Sequence, residues 1–128
     1  MSKRILVIDD DEGIRKSFNL ALEDTGYEVD TAEGGEKGIT LEKERKYDLI
    51  YLDLNMPGID GVQTLRKIRE IDRDVPVYII TAFHKEFFEP LQLVAKERIN
   101  FEVMQKPIGM DKIVMTSRGI LEGPQVAE

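Results

Sequence analysis

The apolar run Ile5-Leu6-Val7-Ile8 ends abruptly on Asp9, Asp10 and Asp11, and the same pattern returns when Leu49-Ile50-Tyr51-Leu52 ends on Asp53. Short, unbroken runs rich in β-branched residues read as strands buried on both faces, which is how strands of a helix-covered parallel sheet look. Residues 27–31, 76–81 and 101–105 are three more strand candidates. Between them lie helical stripes. Ile14, Phe18, Ala21 and Leu22 mark the first helix, with Asp11 or Glu12 at its start and Gly26 just past its end. A charged stretch carrying Gly34, Gly35 and Gly38 predicts a second helix up to Lys46, with Tyr47 as punctuation. Asn55-Met56-Pro57-Gly58 is turn chemistry, and Val62, Leu65 and Ile68 stripe a third helix. Pro90 fits the first turn of a fourth helix through Arg98, leaving 82–89 as a loop, and Ile113, Val114, Ile120 and Leu121 mark a fifth.

Strands alternating with helices imply right-handed crossovers and a doubly wound, five-stranded parallel sheet in a three-layer α/β/α sandwich. A chain of 128 residues suits one such domain, expected over 1–122, with 123–128 as a tail or the start of a linker. Cysteine is absent, which rules out disulfides and thiolate zinc sites and suits a reducing cytoplasm. The first apolar run is too short for a secretory or membrane segment. A formal charge of -7 opposes direct binding of nucleic acid or anionic membrane by this domain.

In open α/β sheets the ligand site lies beyond the carboxyl ends of the strands, where the strand order reverses. Asp9, Asp10 and Asp53 all fall at such ends. Carboxylates gathered there repel one another unless a cation or strong hydrogen bonds compensate, and Mg²⁺ (or Mn²⁺) accepts one or two carboxylates with a carbonyl and a phosphate oxygen. Asp10 and Asp53 are the expected direct ligands. A carboxylate also attacks phosphorus when a metal and a lysine neutralise the equatorial oxygens. Lys106, after the fifth strand, supplies that lysine; the Thr81 hydroxyl and backbone N–H groups near Ala82 supply further support.

ILVIDDD, LIYLDLNMPGIDG, VYIITA and the Lys106-Pro107 pair together resemble the receiver domains of two-component response regulators, over nearly the whole chain. The resemblance implies strand order 2-1-3-4-5, a flavodoxin-like fold, and Asp53 as the phosphorylation site. It places the metal on Asp9, Asp10, Asp53 and the Asn55 carbonyl, with Lys106 and Thr81 completing the site and Lys106-Pro107 typically cis. It also implies a sensor histidine kinase as donor, a downstream effector or C-terminal output domain as recipient, and dimerisation through the fourth-helix to fifth-helix face. Two features depart from the family. Val103 stands where receivers carry an aromatic residue, and 96–100 (KERIN) replaces the usual stretch of small residues.

Several residues invite simpler readings. Asp11 is an ordinary helix cap, and His84, the one histidine, reads as a loop residue. Met104, Met110 and Met115 read as core filling or an adaptable interface. Phe87 and Phe88 are core, or a docking patch if exposed. Phe83 lies where receivers tune access of the hydrolytic water. The competing function is a receiver-like scaffold that binds partners without phosphorylation. A metal-dependent phosphatase lacks its second acid, since Asn55 stands two residues after Asp53, and nucleotide binding lacks a glycine-rich phosphate loop.

Overall fold

A computed structural model describes residues 3–54, 56, 58–82, 88–97 and 99–123, with backbone alone for 88–90. The chain runs β1 (Arg4–Ile8), α1 (Glu12–Leu22), β2 (Glu28–Ala32), α2 (Gly35–Glu44), β3 (Leu49–Asp53), α3 (Gly61–Ile71), β4 (Val77–Thr81), α4 (Phe88–Lys96), β5 (Glu102–Gln105) and α5 (Met110–Glu122). The five strands are parallel, as the alternation of elements leads one to expect, and ordered β2-β1-β3-β4-β5, as the family resemblance implies.

Although the strand runs are continuously apolar, their side chains still alternate between two cores, because successive strand residues face opposite sides of a sheet. Leu6, Ile8, Ile50, Leu52 and Ile79 pack with Val62, Leu65 and Ile68 of α3 and Val94 of α4. Ile5, Val7, Leu49, Tyr51 and Ile80 pack with Phe18 and Leu22 of α1 and Ile113 of α5. Tyr51 carries its hydroxyl into that second core and shares a 2.7 Å hydrogen bond with the equally buried Ser117 of α5. Burying both partners of one bond leaves neither polar group unsatisfied, so the pair fastens α5 to β3.

The helix starts follow local chemistry. Asp11 caps α1 by accepting from the Gly13 and Ile14 amides at 2.8 and 3.3 Å. Asp60 and Gln63 cap each other's backbone at the start of α3, an arrangement that stabilises by about 1 kcal/mol. Gly26, in the turn after α1, has φ +86°, a region where a side chain would be strained.

Several boundaries differ from the sequence reading, and β4 and β5 each start one residue later than expected. The second strand is shifted by one residue to Glu28–Ala32, because the Tyr27 amide is taken by Thr25 Oγ1 in the preceding turn. α2 stops at Glu44, where Arg45 turns extended, instead of reaching Lys46. Tyr47 is a core residue, 1% exposed, whose hydroxyl donates to Asp30 at 2.6 Å. α4 begins two residues ahead of Pro90, which stays within its first turn, and ends at Lys96. Met104 is buried, whereas Met110 and Met115 are exposed and fill no core. Phe83, His84, Phe87, Arg98 and residues 124–128 lie outside the described residues, as does the side chain of Phe88.

Candidate functional site

β1 and β3 are neighbours, but the chain leaves them in opposite directions, toward β2 and toward β4. That divergence opens a crevice at their carboxyl ends. Ile8 pairs with Leu52, which sets Asp9 beside Asp53, and Asp53 pairs with Ile80 next to Thr81. The Lys106 amide donates to the Thr81 carbonyl at 2.7 Å, which carries β5 to the same edge. The Lys106-Pro107 peptide bond is cis.

Asp9, Asp10 and Asp53 each offer a carboxylate oxygen, and these oxygens lie within 4.8 Å of one another. Lys106 Nζ lies 3.1 Å from Asp9 Oδ2 and 3.1 Å from Asp53 Oδ1, so one ammonium answers two buried carboxylates. Burial pushes the Asp9 carboxyl above its ordinary value, against the opposing pull of the Asp11 amide and Lys106; Asp10 pushes it up further. For Lys106, burial works to lower the pKa, but Asp53 and Asp9 outweigh it and the net direction is upward. The lysine is therefore charged at neutral pH, set against an excess of negative charge.

This donor set fits a hard divalent cation. All three groups are oxygen ligands, and among the described residues Asp9 Oδ2 is a buried oxygen that faces Lys106 without a hydrogen bond of acceptable geometry. Thr81 closes β4 and is 8% exposed, while Ala82 follows it at the exposed rim. Asn55 lies outside the described residues. Val103, on edge strand β5, is 49% exposed, so this position presents a small apolar side chain to solvent.

Two residues given no role in the sequence reading shape the site. Gly61 opens α3 directly against the backbone after β3, and its amide donates to Leu54 O at 3.0 Å. A Cβ there would lie 2.5 Å from Leu54 Cα and 2.6 Å from Asp53 O, so only glycine lets the helix sit this close. Arg15 reaches back from α1 to donate through Nη1 to the Asp9 carbonyl at 2.7 Å. A glycine after a turn acid gave a faint signal for the first; a side chain bonded to a carbonyl leaves none for the second.

Comparison with known proteins agrees with this geometry. The family model of the response regulator receiver domain matches residues 5–118. The alkaline phosphatase synthesis transcriptional regulatory protein PhoP of Bacillus subtilis is 33% identical over 127 residues, which are 99% of this chain and 52% of that protein. The transcriptional regulatory protein GlrR of Escherichia coli is 34% identical over 118 residues, covering 92% of this chain and 26% of its own length. The chain thus spans about half or less of these curated relatives. Among solved structures, the response regulator TrrA of Thermotoga maritima in complex with Mg²⁺-BeF superposes with a TM-score of 0.77 at 32% identity, covering 93% of this chain and 99% of that one. A CheY-like receiver domain from Methanospirillum hungatei has a TM-score of 0.84 at 23% identity, over 95% of each chain, and speaks for the fold alone. A doubly wound sheet with three acids and one lysine at its switch point, matched by the family model over most of its length, belongs to the receiver-domain family of two-component response regulators.

Proposed function

We propose that Asp53 is the phosphoacceptor of a Mg²⁺-dependent (or Mn²⁺-dependent) signalling switch, supplied by the phosphohistidine of a sensor histidine kinase. The observation that carries this reading is the single ammonium of Lys106, 3.1 Å from both Asp9 and Asp53, with Asp10 in the same cluster. An Asp53 carboxylate oxygen attacks phosphorus in line, the P–N bond breaks, and the histidine leaves with its bonding pair, yielding an acyl phosphate on Asp53. Asp9, Asp10, Asp53 and the Asn55 carbonyl would hold the metal, which would neutralise charge on the phosphoryl oxygens. Lys106 then turns from the Asp53 carboxylate to a phosphoryl oxygen, and the Thr81 hydroxyl and Ala82 amide donate to the others.

In this reading residues 1–122 form the working unit and 123–128 lead toward an output domain, or the domain acts on a separate effector in the cytoplasm. Phosphorylation alters affinity at the α4 to α5 face, where dimers also form. A phosphorylation-independent scaffold is the second reading, favoured by the exposed Val103 in place of a switch aromatic. Intact mass after incubation with phosphoramidate and Mg²⁺ separates the two. One phosphoryl adduct per chain, lost when a chelator removes the metal, is the expected result; no adduct with Mg²⁺ present leaves the scaffold.

A further inference from the structure

We propose that Arg15 is a positioning residue for the metal-binding acids, an inference that rests on the phosphoacceptor reading and assigns a role to a residue outside the site itself. Asp9 is fixed on several sides. Its amide donates to Ala32 O at 3.0 Å, and its Oδ1 accepts from the Asp11 amide at 2.9 Å, bridging across Asp10. Its carbonyl accepts from Arg15 Nη1 at 2.7 Å. Asp10 has no comparable support: it is exposed, and its carboxylate takes no hydrogen bond among the described residues.

The direction of the Asp10 side chain therefore depends on the backbone beneath it. The 9–10 peptide is a rigid plane, so holding the Asp9 oxygen also orients the nitrogen and Cα of Asp10. Arg15 is well suited to this task because it stands in the first turn of α1, where its own amide donates to Asp11 O at 3.1 Å. The guanidinium and the helix start thus grip the loop from both ends. A group that orients a metal ligand typically changes metal affinity by about 10-fold to 100-fold when removed. Arg15 is half-buried and acts on a backbone carbonyl, which places the expected effect at the lower end.

The sign of the effect separates positioning from simple electrostatics. Removing a positive charge near three acids makes the site more negative, and on charge alone it tightens cation binding. Loss of positioning weakens it. The test is Mg²⁺ titration of the protein without phosphodonor, followed by calorimetry and by amide shifts at Asp10 and Asp53, for wild type, Arg15→Met and Arg15→Lys. Arg15→Met is expected to bind Mg²⁺ about tenfold more weakly, with Arg15→Lys recovering part of the loss. Its phosphorylation rate is expected to fall at low Mg²⁺ and return to the wild-type value at saturation. Unchanged or tighter Mg²⁺ binding in Arg15→Met overturns the inference, as does a rate deficit that persists at saturating Mg²⁺. A wild-type protein that binds no Mg²⁺ at these acids overturns the phosphoacceptor reading instead.

Discussion

Lys106→Met is expected to slow phosphoryl uptake from phosphoramidate by roughly 100-fold and to destabilise the metal-free fold by about 2 to 3 kcal/mol. Both effects follow from one ammonium placed 3.1 Å from each of two carboxylates that are 0% and 5% exposed. Methionine keeps much of the stem's volume, so packing changes little and the lost charge dominates. Breaking a buried ion pair strands the remaining charge, at a cost of about 3 to 5 kcal/mol. The lysine side chain is 19% exposed and keeps some solvent, which argues for a smaller figure here. The fold deficit is expected to shrink when Mg²⁺ is added, because the metal restores positive charge, and again as the pH falls, because protonation neutralises a stranded carboxylate. Urea denaturation with and without Mg²⁺ measures the loss of stability, and intact-mass time courses measure the rate of phosphoryl uptake. A variant as stable as wild type without metal, or one labelled at the wild-type rate, contradicts this account of the lysine.

Glu42→Gln is expected to stabilise the protein by about 2 to 3 kcal/mol near pH 8 and by little near pH 5. Glu42 lies on α2 at the pole opposite the acid cluster, 4% exposed, and its Oε2 is buried with no hydrogen bond among the described residues. Burial, joined by the nearby charge of Asp72, raises its carboxyl from 4.5 to about 7 against the opposing pull of Arg69 and Lys46. Tyr47 packs nearby and feels the same carboxylate. A raised folded-state pKa means that the fold binds the proton more tightly than the unfolded chain does. The associated stability is present below the unfolded value of 4.5 and is lost as pH rises through about 7. The neutral amide of glutamine keeps the shape of the protonated acid and escapes that loss. Equal stabilisation at both pH values in urea denaturation contradicts the assignment.

The convergence of acids was legible because a parallel sheet gathers every strand's carboxyl end on one edge. Asp9, Asp53, Thr81 and Lys106 could therefore be grouped by where each apolar run stopped, across sequence separations as large as the 97 positions from Asp9 to Lys106. Residues whose role depends on helix docking were not legible. Tyr47 looked like punctuation after a charged helix, but its ring enters the core while its hydroxyl stays with Asp30. Glu42 is one of three glutamates in α2, and its burial arises from the packing of that helix against α3 and the sheet. Arg15 bonds a main-chain oxygen, which any residue type at position 9 would offer. Gly61 is required by the approach of a helix to a strand end, a distance at which its place after a turn acid only hints.

Under the proposed function, the acid at the end of β3 becomes the acyl phosphate. Borohydride reduction of the protein labelled with phosphoramidate and Mg²⁺, followed by peptide sequencing, reads this directly, since an aspartyl phosphate is reduced to homoserine. Homoserine at position 53 and nowhere else, absent in Asp53→Asn, is the predicted result. Reduction at another acid, or a phosphoryl adduct that resists reduction, contradicts it.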